Sequence, residues 1–338
     1  MPGRIDLSNM SNEIYHVIKN EARSVIENTD SSLEINHSNE KKIGYEDWIV
    51  GANNQFIPTP KITTIKKLIP GKYSIKWNDE YSRYCFVRES VNLDELLYLP
   101  NPVLEKIITD IDYFWDHKDL FEKYKFAYKR GILLYGKPGC GKSSITALLS
   151  EQVIAKGGIV LSVNNQDALH VYYNSIASIF RFIEPDTRIL TIFEDLDGLV
   201  RNSETETVLL NILDGMNQSE NVVNIGCTNY PENLKERILN RPSRFDKRYN
   251  IGLPDAKVRK FYLEHKINEE DLKIIGGNSF DDIVSKTEGL TLAHLGELIK
   301  SVFIFGNSLD NTLKTLTDMS LTISSSNDEN RKKIGLNR

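Results

Sequence analysis

The chain has 338 residues, 40% hydrophobic and 26% charged, the balance of a soluble globular protein with room for one large domain and smaller attachments. A formal net charge of −5 gives no support for a global attraction to nucleic acid or to an anionic membrane surface. Cys85, Cys140 and Cys227 have neither CxxC nor zinc-type spacing, which excludes a disulfide scaffold and reads as reduced thiols in a cytoplasmic protein.

In chain order, residues 1–40 are polar, with one helix-like spacing through Ile14, Val17, Ile18, Val25 and Ile26 and a linker-like run after it. The opening residues have no basic region followed by an apolar core, so no secretory signal is expected. Residues 41–100 are broken by Pro58, Pro60 and Pro70-Gly71, and two short strands, at 73–77 and 81–87, predict a small β-rich accessory domain. Val103, Ile107, Ile108, Ile111 and Phe114 then predict a helix leading into an α/β domain that ends at 254. Short apolar runs at 132–135, 159–163, 189–193, 222–227 and 248–251 read as strands of a parallel sheet buried on both faces. Residues 255–310 read as a helical unit, and 311–338 as a largely disordered tail. No apolar run approaches the roughly 20 residues that span a bilayer, so no membrane association is expected. Abundant Asn, Ile and Lys suggest an AT-rich genome, bacterial or viral.

Gly136-Lys137-Pro138-Gly139-Cys140-Gly141-Lys142-Ser143 fits G-x-x-x-x-G-K-[ST] in full, between a strand and a helix. Glycines let backbone amides turn toward a phosphate, and the helix that follows aims its free amides at the same anion. Lys142 is assigned to the β- and γ-phosphates and Ser143 to Mg2+. Cys140 is either an oxidation-sensitive thiol or a passive filler of the loop.

The strand at 189–193 runs into Glu194-Asp195. Carboxylates at the end of a buried strand are costly unless they face a cation or a reacting water. Glu194 is assigned to the metal and Asp195 to the water. Asn229, after the 222–227 strand, could hold that water in line. Arg237, Arg241 and Arg244 follow, and phosphoryl transfer gains most from a guanidinium on the γ-phosphate. Surface arginines paired with Asp246 and Asp255 remain the other reading. Lys123, Lys125, Lys129 and Arg130, interleaved with Tyr124, Phe126 and Tyr128, form either a stacking and phosphate surface or a solvated helix face with its aromatics inward.

Taken in order, the segments at 130–144, 193–197, 210–215, 228–229 and 241–246 resemble the motifs of AAA-type ATPases. The acidic motif is similar to that of the Bcs-type branch, the mitochondrial Rieske-protein translocases, which also has Glu-Asp order; that branch's membrane helix is not seen in these residues. The resemblance covers about 120–300. It implies a five-stranded parallel P-loop sheet sandwiched by helices, a helical lid, and a homo-oligomeric ring, usually a hexamer. It places Asn229 at the sensor position, and Arg241 and Arg244 at arginine-finger positions acting on a neighbour's ATP. The 287–295 segment is similar to the family's lid motif, with Gly289 and Ala293 near the base, and Ser144 closes the phosphate-loop segment. Tyr172 and Tyr173 lie where the family has a substrate-gripping pore loop, although Asn174 replaces its glycine; they are pore residues or helix-face aromatics. The expected activity is Mg2+-dependent ATP hydrolysis driving protein remodelling. The rivals are a nucleic-acid motor or loader and a non-hydrolysing nucleotide-gated scaffold.

Overall fold

The computed structural model describes residues 47–50, 56–59, 66–78, 83–89, 97, 99, 102–175, 183–214, 220–241, 243–274 and 279–331. The helical spacing at 14–26 falls outside them. Five apolar runs become strands β5 (Lys129–Tyr135), β6 (Ile159–Val163), β7 (Ile189–Phe193), β8 (Val222–Thr228) and β9 (Lys247–Asn250). Side chains alternate across a strand, and here the alternation divides two cores. Leu133, Ile189 and Phe193 enter one, while Ile132, Leu134, Leu190 and Ile192 enter the other. Helices α1 (Pro102–Asp116) and α3 (Lys142–Ala155) supply Leu104, Ile107, Ile145 and Leu149 to the second core. Helices α4 (Gln166–Ser175), α5 (Leu196–Leu199) and α6 (Ser203–Asp214) supply Leu169, Leu196 and Leu209 to the first. The result is an α/β/α sandwich.

The sheet has seven strands, not the five that the resemblance implies, in the order β4-β3-β6-β7-β8-β5-β9. The additions are β3 (Gly71–Asn78) and β4 (Arg83–Glu89), the hairpin expected in the accessory segment. β3 pairs parallel with β6, from Gly71 opposite Ile159 to Ser74 opposite Ser162, and β4 closes the edge antiparallel. Without them β6 would expose an open row of backbone donors and acceptors, and Tyr73 and Ile75 would leave the first core. The hairpin is thus the rim of the main sheet rather than a separate unit. A second ribbon, β1 (Asp47–Val50) with β2 (Phe56–Thr59), forms its own two-stranded sheet.

The lid holds α8 (Ala256–Lys266), α9 (Glu269–Ile274), α10 (Phe280–Lys286) and α11 (Leu292–Ile299), with a π-helical turn at Lys300–Ile304. Local chemistry starts these helices: Asp255 caps α8, Ser279 and Asp282 form a capping box on α10, and Thr291 and His294 form one on α11. Of the tail expected to be largely disordered, the described part, 311–331, instead lies in α12 (Leu309–Arg331). Its Leu309, Leu313 and Leu316 recur at four and three residues and bury against Leu263 and Leu298, which gives an otherwise polar segment a surface to fold on.

The short α2 (Lys118–Tyr124) ends at Lys125 in the left-handed region. Tyr124, its last residue, and Phe126, just beyond it, are 61% and 71% exposed, so these two aromatics do not pack inward; Tyr128 does. Arg130 is committed to Asp110, and Lys129 to the Leu213 carbonyl, which removes two cations from the suggested basic surface. Among the described residues no helix is long and apolar enough to cross a membrane, and no His/Cys/Asp/Glu group has a metal-holding arrangement.

Candidate nucleotide site

The turn between β5 and α3 carries Gly139 and Gly141 at φ 76° and 99°, in the region that side chains disfavour. At Gly139 space forbids a side chain as well: a Cβ would sit 2.7 Å from the Ala293 Cβ and 2.9 Å from Thr291 Oγ1. That crowding comes from the lid, whose α11 docks on the turn with Ala293 N donating to the Gly139 carbonyl at 3.2 Å. Lys142 is 8% exposed, and its Nζ donates to the carbonyls of Gly136 (2.7 Å) and Lys137 (3.1 Å). Burial lowers its pKa, while Cys140, Cys227 and Asp197 act in the opposite sense. Both carbonyls are neutral, so the ammonium keeps its charge for an anion. Cys140 is buried, and burial pushes its thiol up despite Lys142 and Lys137, which favours the passive reading. Burial pushes Cys227 up to about 12.

Glu194 extends the ladder past β7, its N donating to the Val163 carbonyl at 3.1 Å. Its side chain is half exposed and lies 4.0 Å from Lys72 Nζ of the hairpin. Asp195 takes a left-handed backbone, φ 49°, at the N-cap position of the one-turn α5, with no side-chain capping bond. Its carboxylate folds over Gly198, where a Cβ would come within 2.3 Å of Oδ2. Strain of this kind at a non-glycine residue is a mark of functional positions. The Thr228 hydroxyl donates to Asp197 Oδ1 and accepts from Tyr230 N, which ties the end of the acidic strand to the start of the Asn229 loop. Sequence reasoning missed the Asp197–Thr228 link and Lys72, because each joins residues distant in the chain.

These elements open on one cleft of about 1020 Å³. Pro138, Gly139, Gly141, Lys142, Ser143, Ser144, Glu194, Asp195, Asn229 and Ala293 all line it. An apolar pocket of about 170 Å³ adjoins it, lined by Pro102, Val103, Cys140, Ile145, Ile251, Leu253 and Val258, and shares Leu97, Leu99, Gly141, Ser144 and Leu292 with the cleft. Gly289, at φ 82°, lines neither. A cleft of that size, with hard oxygen donors at Ser143, Glu194 and Asp195 and a cation at Lys142, fits a magnesium nucleotide.

The arginines lie outside the cleft. Arg244 is 7% exposed, with its Nε 2.8 Å from Asp214 Oδ2. Arg241 shares the same oxygen at 2.9 Å and is 64% exposed. Arg244 is therefore enclosed by the domain's own packing, whereas the Arg241 side chain is open to solvent. Arg237 turns to Glu206 rather than to the cleft. Tyr172, one candidate pore residue, is in the core: it is 3% exposed, its hydroxyl lies 2.8 Å from Thr191 Oγ1, and its ring meets Phe193 edge-on. The Tyr173 side chain is outside the described residues. Tyr172→Phe is expected to cost about 1–3 kcal/mol by leaving the buried Thr191 hydroxyl unpaired, read as a lower thermal midpoint.

Residues 132–253 match the family described as ATPase family associated with various cellular activities (AAA). A protein named as a cell division cycle ATPase in Plasmodium falciparum is 30% identical over 219 residues, 60% of this chain and 17% of that protein. Protein SAV of Sulfolobus acidocaldarius is 28% identical over 60% of this chain and 27% of its own length. The Proteasome-associated ATPase of Saccharopolyspora erythraea is 30% identical over 52% of this chain and 35% of its own length. The chain thus spans from about a sixth to about a third of these curated relatives. Residues 132–253, the part that matches the AAA family of ATPases, contribute the phosphate loop and the acidic strand end, which meet the lid at one cleft.

Proposed function

We propose that the chain hydrolyses ATP in a homo-oligomeric ring, in which each subunit completes its neighbour's site, and spends the energy on remodelling a protein substrate. The observation that carries this is the convergence of Lys142, Ser143, Glu194, Asp195 and Asn229 on one cleft beside an apolar pocket. The purine lies in that pocket and the phosphates lie along the turn at 136–143. Mg2+, when bound, would neutralise phosphate charge. Ser143 and Glu194 would hold it, Asp195 would accept the proton of the attacking water, and Asn229 would keep that water in line. Asp is one methylene shorter than Glu, and the left-handed backbone at 195 sets the approach of its carboxylate.

The ring reading is supported by Arg241, an exposed guanidinium held by Asp214 that does not line its own cleft. The Glu194-Asp195 order supports a likeness to the Bcs-type branch. A protein substrate is favoured by relatives named as proteasome-associated ATPases; the internal pairing of Arg130 and Lys129 weighs against the nucleic-acid reading.

Arg241→Ala subunits titrated into wild type are expected to lower ATP turnover more steeply than dilution does. A transition-state guanidinium is worth about 10³–10⁵ in rate. A strictly linear decline would contradict the shared site.

A further inference from the structure

The stretch joining β8 to β9 has little regular structure: a three-residue turn, Pro231–Asn233, and the four-residue α7 (Glu236–Leu239). Helices that short have no independent stability in water. The position of Arg241 is therefore set by anchors to the rest of the domain. Leu234, Ile238 and Phe245 are the apolar ones. The polar ones both come from α6, whose start is fixed by Asn202 accepting from Thr205 N at 2.8 Å. Asp214, its last residue, grips Arg241 and Arg244. Glu206, a little over two turns earlier, grips Lys235 and Arg237.

The Glu206 clamp is asymmetric in depth. Its carboxylate is 1% exposed, whereas Lys235 and Arg237 are 59% and 47% exposed. Each oxygen has its own cation: Lys235 Nζ donates to Oε2 at 2.6 Å, and Arg237 Nε donates to Oε1. A carboxylate at that depth is tolerated only when both oxygens are satisfied. Ion pairs between two exposed side chains hold little; an acid rooted in a packed helix holds its partners to that helix. The hydrogen bond from Arg237, above all, keeps the Glu206 carboxyl below its usual range against the opposing effect of burial.

We infer that Glu206 is a positioning residue for ATP hydrolysis. By clamping Lys235 and Arg237 to α6 it fixes the segment that presents Arg241, and so sets the reach of that arginine into the adjoining subunit's cleft. The inference rests on the shared-site reading above. Glu206 lines the wall of a smaller recess with Asp197, Arg201 and Tyr230, not the nucleotide cleft. Its loss therefore acts on turnover and spares ATP binding.

The test mixes two defective subunits. Glu206→Gln keeps its own cleft but presents Arg241 poorly; Lys142→Ala has no working cleft but an intact 235–244 segment. Glu206→Gln alone is expected to lose about 10-fold or more in kcat, with KM for ATP nearly unchanged. Mixed with Lys142→Ala, turnover is expected to exceed the sum of the two alone, because the intact Glu206→Gln clefts gain a properly held arginine from their neighbours. A fault confined to one subunit's own fold or cleft would not be rescued in this way. Arg241→Ala mixed with Lys142→Ala serves as the reference. Recovery in the reference but not with Glu206→Gln overturns the inference and leaves the shared site standing. No recovery in either overturns the shared site, and the inference with it. If Glu206→Gln does not fold, Lys235→Gln/Arg237→Gln changes only the half-exposed partners, and wild-type kcat in that double variant overturns the inference.

Discussion

Replacing Lys142 by alanine is expected to abolish ATP binding at working concentrations. The ammonium is buried and held over the loop by two neutral carbonyls, which orient it without neutralising it. Burial lowers its pKa, the signature of a charge kept at a desolvation cost that an anionic ligand relieves. Two charge-assisted contacts to phosphate, at about 1.5–3 kcal/mol each, amount to roughly 10²–10⁴ in affinity. Alanine at 142 retains good helix propensity at the start of α3, so the fold is expected to survive. Titration calorimetry checks this directly; wild-type affinity in Lys142→Ala would remove the phosphate loop from the account.

The second large effect concerns the acidic pair. Asp195→Asn is expected to bind ATP with affinity within a factor of about three of wild type and to lose about 10²–10⁴ in kcat, the usual share of a general base. Asparagine matches aspartate in size and tolerates the left-handed backbone that Asp195 adopts, so a loss of rate reports chemistry rather than strain. Glu194→Gln is expected to weaken the magnesium dependence instead: more metal is needed for half-maximal turnover. Single-turnover phosphate release at several magnesium concentrations separates the two. If Glu194→Gln shows the pure rate defect and Asp195→Asn the metal defect, the two roles are exchanged.

Much of the nucleotide cleft was legible in the sequence because its chemistry is contiguous. A glycine turn needs its glycines side by side, and a carboxylate that faces the cleft must follow its strand directly. Strands β6, β7 and β8 were legible for a related reason, since burial on both faces leaves a run with few polar breaks, as in 189–193, whereas the edge strand β9 is largely exposed and not buried on both faces as expected. The hairpin was visible as two strands, but its place on the sheet edge was not: the pairing of Lys72 with Val160 spans residues far apart in the chain and has no local signature. The helix α12 was misread because its first turns are held by three leucines against a lid that composition alone does not reveal.

The arginines mark the clearest boundary. Arg241 and Arg244 look equivalent in the sequence, three residues apart in one motif. Packing separates them, since Arg244 lies under β5, where its carbonyl leaves no room for a side chain on Gly131. Tyr172 was left open in the same way, between pore residue and helix-face aromatic: an aromatic doublet on a short helix says nothing about which member faces Phe193.

The central claim is that this cleft turns ATP over rather than merely holding it, and steady-state release of inorganic phosphate by the wild-type chain tests it most directly. With ATP and magnesium the account predicts linear release through many equivalents per chain, stopped when the metal is chelated. Release that halts at or below one equivalent, with ATP still bound, would contradict it.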